Sequence, residues 1–140
     1  MGRGGAYVIS NNTMFTLEKV DHHIRHMNQF DMDDKIYPNS SSNRNYLEFY
    51  YDNWSSDKRP YGLAKYKVLQ NNVELGHVSL EGNNTNDLSV KVECKFLDEV
   101  GGNFFYWNNE EPSRGTAYIH LNFKRNQMVI NDQFEDTLNK

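Results

Sequence analysis

The chain has 140 residues, a mass of 16.5 kDa and a formal net charge of -4. This length predicts a single domain over residues 1–140, with a lead-in over 1–45 and strands over 46–136. The acidic balance argues against duplex nucleic acid as a partner, no apolar run is long enough for a membrane span, and the lone Cys94 excludes an internal disulfide. Because the N-terminus lacks a signal-peptide pattern, we expect a cytoplasmic protein.

The first 45 residues predict one helix and little regular structure besides. Residues 6–10 have the composition of a short edge strand or a tail. An amphipathic stripe at i, i+3, i+7 and i+10 predicts a helix over about Met14 to Asn28; its members are Leu17, Val20, Ile24 and Met27. Residues 30–45 are polar and contain Pro38, which indicates a loop.

Residues 46–80 contain the first clear strand patterns. Apolar side chains alternate in residues 46–51, and they alternate with lysines in the stretch that begins at Tyr61. Asn71 and Asn72 tolerate the positive φ angles of a tight turn, so residues 61–80 predict a β-hairpin. A bulge at Leu75 and Gly76 would bring the two apolar pairs of the second strand to one side.

The alternation continues towards the C-terminus. Residues 88–96 place apolar side chains, including Cys94, on one face, and residues 116–123 do the same. Residues 104–107 are apolar on both faces, and residues 128–130 offer a last strand. About seven strands at intervals of about ten residues predict a mainly β fold. We expect an antiparallel meander closed into a small, about eight-stranded, lipocalin-like β-barrel, with the N-terminal helix packed on it.

No pattern in the sequence matches an enzyme or a bound cofactor. Nucleophile motifs, phosphate-binding glycine loops and paired carboxylates are absent from the sequence. On the predicted helix, His22 and His26 would share a face and could offer two metal ligands, although two histidines on a solvated helix face are the plainer interpretation. We therefore expect a protein that is not an enzyme and needs no cofactor.

A binding site is better supported by the pattern. On several predicted strands, aromatic and cationic side chains occupy the alternate positions that face away from the core. These side chains would converge if that face lined the lumen of the barrel. The plainer alternative is that they form an ordinary strand surface. The candidate ligand-binding residues are Tyr106, Trp107, Arg114, Thr116, Tyr118, His120, Lys65 and Lys67.

The C-terminal third resembles a known family. Residues 104–123 and 127–137 resemble the end of the β-barrel cyclic-oligonucleotide sensor domain of bacterial anti-phage (CBASS) effectors. The matching residues are Tyr106, Asn109, Pro112, Arg114, Gly115, Thr116, Ala117, Phe134 and Asp136. The resemblance implies a barrel that binds a cyclic dinucleotide in its mouth, with Arg114 and the aromatic residues as ligand contacts.

Two features depart from that family. Its effectors carry two transmembrane helices before the barrel, whereas the corresponding part of this chain is polar. The final arginine of the family's closing motif is replaced by Thr137. If membrane disruption is the output of that family, we expect that this chain by itself does not perform it.

Three functions stay open from the sequence. The first is a module that binds a small anionic ligand, such as a cyclic nucleotide, in anti-phage defence. The second is an immunity or inhibitor protein that blocks a toxin or enzyme, because the chain is small, acidic and rich in Tyr and Trp. The third is a calycin-like carrier of an apolar ligand. Neither the oligomeric state nor the partner follows from the sequence.

Overall fold

A computed structural model describes residues 3–49, 61–82, 87–101, 104–106 and 116–124. Within these ranges the chain forms twelve β-strands and no helix, which confirms the mainly β prediction. The strands are β1 (Arg3–Asn12), β2 (Thr16–Arg25), β3 (Met27–Phe30), β4 (Lys35–Ile36), β5 (Ser40–Ser41), β6 (Asn45–Phe49), β7 (Tyr61–Gln70), β8 (Val73–Gly82), β9 (Asp87–Glu93), β10 (Leu97–Gly101), β11 (Phe104–Tyr106) and β12 (Thr116–Phe123). The described residues include no helix that could cross a bilayer.

The strands pair into two sheets. The first sheet has the order β10-β12-β1-β6-β3, with β5 beside β1, and the second has the order β11-β9-β8-β7-β2-β4. No ladder between described strands joins the two sheets, so the closed barrel that the sequence predicts is not formed by this part of the chain.

One hydrophobic core lies between the sheets. The core is formed by the side chains on the inward face of each strand. Tyr7 and Ile9 of β1 and Ile119 of β12, in the first sheet, belong to one buried cluster with Tyr66 of β7 and Leu80 of β8, in the second sheet. Fully buried side chains of this size remove enough apolar surface from water to stabilise the fold.

The meander prediction holds only for β7, β8 and β9, which pair in sequence order and antiparallel. In the first sheet β1 is a central strand, neither an edge strand nor a tail, and it pairs parallel with β12, Ala6 opposite Thr116 and Asn12 opposite Asn122. On its other side β1 pairs antiparallel with β6 and, at Ser10 and Asn11, with β5. Alternation identifies the faces of a strand but not its neighbours, which is why the sequence missed this pairing.

The predicted N-terminal helix is wrong. Residues 16–25 form β2, which pairs with β7 along its whole length, and a turn at His26, with φ of 55°, leads into β3. The helical spacing of the apolar residues misleads because a bulge between Lys19 and Asp21 shifts the alternation within β2. β-branched residues and three histidines also make this stretch a poor helix former.

The polar segment 30–45 is tied to the core rather than free of it. Tyr66 donates a hydrogen bond from its hydroxyl to the Asp33 carbonyl at 2.9 Å, and Tyr7 donates to the Asp31 carbonyl at 2.5 Å. The Asn45 amide nitrogen donates to the Asp33 carboxylate at 3.0 Å. Since both tyrosine side chains are buried, these bonds satisfy polar groups that would otherwise be costly.

Candidate functional site

The β7–β8 hairpin sets the geometry of the candidate site. Its turn places Asn71 and Asn72 at φ angles of 50° and 66°, as the sequence predicts. The predicted bulge is also present, because Leu69 pairs with Glu74 whereas Val68 pairs with Gly76. Beyond the bulge the register is regular up to Gly82, so the side chains that face away from the core are aligned across the two strands.

A cross-strand row on this outer face carries the chemistry of the site. Lys65 of β7 lies opposite Ser79 of β8, and Ser79 lies opposite Lys91 of β9. Directly paired residues in antiparallel strands have Cβ atoms about 5 Å apart. Two lysines therefore flank one serine hydroxyl on the surface of the second sheet.

The row is the middle of a surface groove of about 240 Å³. The groove exists because short serine side chains lie between long ones, and Ser79 at its floor is only 9% exposed. Its lining residues are Tyr61, Leu63, Lys65, Ser79, Glu81, Ser89, Lys91 and Glu93. In the neighbouring row Lys67 faces His77, whose larger side chain occupies the position that corresponds to Ser79.

The lysines of this face differ in their carboxylate neighbours. Lys67 lies 3.6 Å from Glu18, and Lys91 lies 4.0 Å from Glu93. Lys65 forms no ion pair with a described carboxylate. Asp21 of β2 is the other cross-strand neighbour of Lys65, but no ion pair holds the Lys65 ammonium, which can reach an anionic group in the groove.

One end of the groove is closed by an aromatic ring. The Tyr61 hydroxyl donates to Glu81 at 3.1 Å, and the Arg25 guanidinium lies 5.7 Å from the centre of the Tyr61 ring. Desolvation, together with the nearby Glu81 carboxylate, raises the pKa of Tyr61. Tyr61 therefore stays neutral at physiological pH and offers a polar tip and an apolar ring at the rim.

The groove presents hydrogen-bond donors that suit an oxyanion. Lys65 and Lys91 supply ammonium donors, and Ser79 supplies a hydroxyl that can donate to an oxyanion. Among the described residues no group of three or more His, Cys, Asp or Glu side chains is placed to hold a metal ion. Cys94 is buried, and desolvation raises the pKa of its thiol, so it behaves as a small core residue.

The residues predicted from the sequence are not brought together at one site. Lys65 lines the groove and Lys67 lies one row away, both on the outer face of the second sheet. Thr116, Tyr118 and His120 lie on the outward parity of β12 in the first sheet, which faces the opposite way.

The other three predicted residues provide no described side chain. Tyr106 is in β11, where its backbone pairs with Asp87 of β9, and its side chain is not described. Trp107 and Arg114 lie outside the described residues.

A different arginine meets the predicted residues on the first sheet. Arg44 donates from Nε to the Thr116 hydroxyl at 2.9 Å and stacks over the Tyr46 ring, with its guanidinium carbon 4.8 Å from the ring centre. Tyr118, on the same face of this sheet, is 57% exposed. This pairing of Arg44 with β12 depends on sheet order and carried no signal in the sequence.

The two candidate metal ligands, His22 and His26, do not share a face in the structure. His22 is on β2 and its Nε2 lies 2.6 Å from the Phe30 carbonyl, while His26 is in the turn that follows. The shared helix face on which the prediction depended does not exist, because this segment is a strand.

No family model and no curated protein matches the chain. Several solved structures are similar to it, among them IP-1A and RahU. IP-1A from Alcaligenes faecalis has 12% identity and a TM-score of 0.48, over 87% of this chain and 91% of that one. The RahU protein, solved in complex with a TRIS molecule, has 11% identity and a TM-score of 0.44, over 87% and 96% of the two chains. Function therefore has to be inferred from the side chains of this chain.

Proposed function

We propose that this protein is a binding module that holds a small anionic ligand in the groove of β7, β8 and β9. The observation that carries the proposal is the row of Lys65, Ser79 and Lys91, in which one lysine lacks a described carboxylate partner and the serine forms a nearly buried floor. A phosphate or carboxylate group above Ser79 would accept hydrogen bonds from all three side chains.

The spacing of the lysines limits the ligand. Lys65 and Lys91 are two strands apart, and neighbouring strands are about 4.8 Å apart, so their backbones are separated by about 10 Å. Long lysine side chains can converge on one phosphate or hold two phosphates separately. A cyclic dinucleotide, which has two phosphates, is the ligand we propose for the second arrangement, and a role in anti-phage sensing would follow from it.

A thermal-shift screen tests the proposal. The probes are inorganic phosphate, pyrophosphate and a set of cyclic dinucleotides, with sodium chloride at matched ionic strength as the control. We expect at least one phosphate compound to raise the melting temperature in a concentration-dependent way. The shift should disappear in Lys65→Gln and persist in Lys67→Gln, which removes the same charge one row away. A flat response to all probes would refute the proposal.

A second function is favoured by the exposed tyrosines. Tyr37 and Tyr118 are 59% and 57% exposed, and tyrosine is enriched in protein interfaces. An immunity or inhibitor protein would use such side chains to bind a toxin or enzyme. In that case a partner recovered from the native host would be lost with Tyr118→Ala and retained with Lys65→Gln, the reverse of the pattern expected for the groove.

A further inference from the structure

Among the described residues, part of one edge of strand β2 has no strand partner. On one side it pairs with β7 from Thr16 to Arg25. On the other side its described partners are β4, opposite Leu17 and Glu18, and the Asp34 carbonyl, which accepts from the Lys19 amide at 2.8 Å. In the part of the chain that the structure describes, no strand lies beside residues 20–25 on that side.

This edge presents apolar side chains to solvent. Val20 and Ile24 are each 48% exposed. An uncovered strand edge offers backbone hydrogen-bonding groups to another strand, and exposed apolar residues on it add to the gain from pairing. The bulge between Lys19 and Asp21 ends the stretch at one side, so the edge available for pairing is short.

The charges along this edge are complementary to those of a second copy of the same edge in antiparallel orientation. Asp21 and Arg25 share one face of β2 with His23 midway between them. In an antiparallel pair, residues directly opposite each other face the same side, so a second copy centred on His23 would place Asp21 opposite Arg25 in both directions. Asp21 lies 2.8 Å from His23 Nε2 and accepts from the His22 amide at 3.0 Å, both within its own strand, and Arg25 forms no ion pair with a described Asp or Glu residue.

We propose that two copies of this chain associate through residues 20–25, with the β2 strands antiparallel and Asp21 beside the partner's Arg25. A second copy fits this edge better than an unrelated strand, because both charged pairs form only when the partner carries the same sequence in reverse order. Six residues give a small contact, which belongs to the weak and transient class of interfaces. The association is therefore concentration-dependent. Its charged residues adjoin the ligand groove, because Arg25 lies over the Tyr61 ring and Asp21 is opposite Lys65.

Sedimentation equilibrium over about 10 µM to 1 mM tests this proposal. The wild type should shift towards the dimer as its concentration rises. Asp21→Arg alone and Arg25→Asp alone place like charges opposite each other at two symmetry-related positions, and each should weaken association by about tenfold. The double variant D21R/R25D restores opposite charges and should recover dimerisation.

The double variant separates a pairing effect from damage to the fold. Asp98→Arg on β10, in the other sheet, is the control for a change of net charge and should dimerise as the wild type does. Thermal melts identify any variant that fails to fold. A wild type that stays monomeric at 1 mM, single variants that dimerise normally, or a folded double variant that stays as weak as the singles would overturn the proposal.

Discussion

Lys65 on β7 is the direct cross-strand neighbour of Ser79 on β8, and this pairing decides where the surface of the second sheet opens into a groove. In the next row Lys67 faces the larger His77 and also lies 3.6 Å from Glu18, so that lysine has a carboxylate partner and no small neighbour beside it. The small size of one serine side chain thus separates a candidate binding site from an ordinary strand surface.

Filling this floor should abolish ligand binding without loss of the fold. Ser79→Val adds two methyl groups at the centre of the groove and removes the hydroxyl, while a β-branched residue suits a strand. We expect no thermal shift with any phosphate probe and a melting temperature within a few degrees of the wild type. Ser10→Val, which makes the same change on the first sheet, should leave the response to the probes intact. A Ser79→Val protein that still binds would place the ligand elsewhere.

Gly62 allows β7 to lie against the β3 side of the core. A Cβ atom at this position would lie 2.6 Å from both the Met27 sulfur and Phe30 Cε2. Gly62→Ala should therefore lower the free energy of unfolding by about 1–3 kcal/mol, as measured by urea denaturation. The double variant G62A/F30L has more room, so its loss should be smaller than the sum of the two single losses. Strict additivity would contradict this explanation.

The hairpin turn makes a separate prediction about stability. Asn72 has a φ of 66°, a conformation that glycine adopts without strain and a β-branched residue does not. Asn72→Gly should leave the free energy of unfolding unchanged or raise it by a few tenths of a kcal/mol, whereas Asn72→Val should lower it by about 1–2 kcal/mol. Equal stability of the two variants in urea denaturation would argue against the positive φ.

Alkaline pH should destabilise the protein through its buried tyrosines. Burial raises the pKa of both Tyr7 and Tyr66, and nearby aspartates add to the effect. The unfolded chain releases these protons at the ordinary pKa of about 10, while the folded chain keeps them. Their contribution to the free energy of unfolding is therefore complete below about pH 10. Above about pH 10, each tyrosine lowers the free energy of unfolding by about 1.4 kcal/mol per pH unit until its pKa in the folded protein is reached.

Urea denaturation between about pH 8 and pH 11 measures this effect. Tyr66→Phe should flatten the fall above pH 10 by the share of one tyrosine. Tyr37→Phe, at a site that is 59% exposed, should leave the fall unchanged. An unfolding free energy that does not depend on pH up to pH 11 would contradict the burial of these hydroxyls.

The strand faces could be predicted from the sequence because side-chain alternation is a local property. Ala117, Ile119 and Leu121 are buried on β12 as their spacing indicates. The register of Lys65 with Ser79 was also within reach, since the predicted turn and bulge together fix which residues of β7 and β8 are opposite. The groove was missed because Lys91 comes from β9, and no local sequence pattern fixes the register of β9 against β8.

The sequence could not supply the relationships between distant segments. The parallel pairing of β1 with β12 joins residues more than a hundred positions apart, and no local pattern encodes it. The same limit explains why Lys65 and Tyr118 were expected on one site: each was placed on an outward face, but the faces belong to different sheets. The helix was predicted wrongly because a single bulge in β2 imitates helical spacing.

Isothermal titration calorimetry tests the groove most directly. Pyrophosphate, and the best cyclic dinucleotide from the screen, are titrated into four proteins: the wild type, Lys65→Gln, Lys91→Gln and Lys67→Gln. We expect saturable binding to the wild type and Lys67→Gln, and a loss of at least about tenfold in affinity for Lys65→Gln and Lys91→Gln, the cost of one charged hydrogen bond. Equal affinities in all four proteins, or no heat of binding to the wild type, would contradict the proposed site.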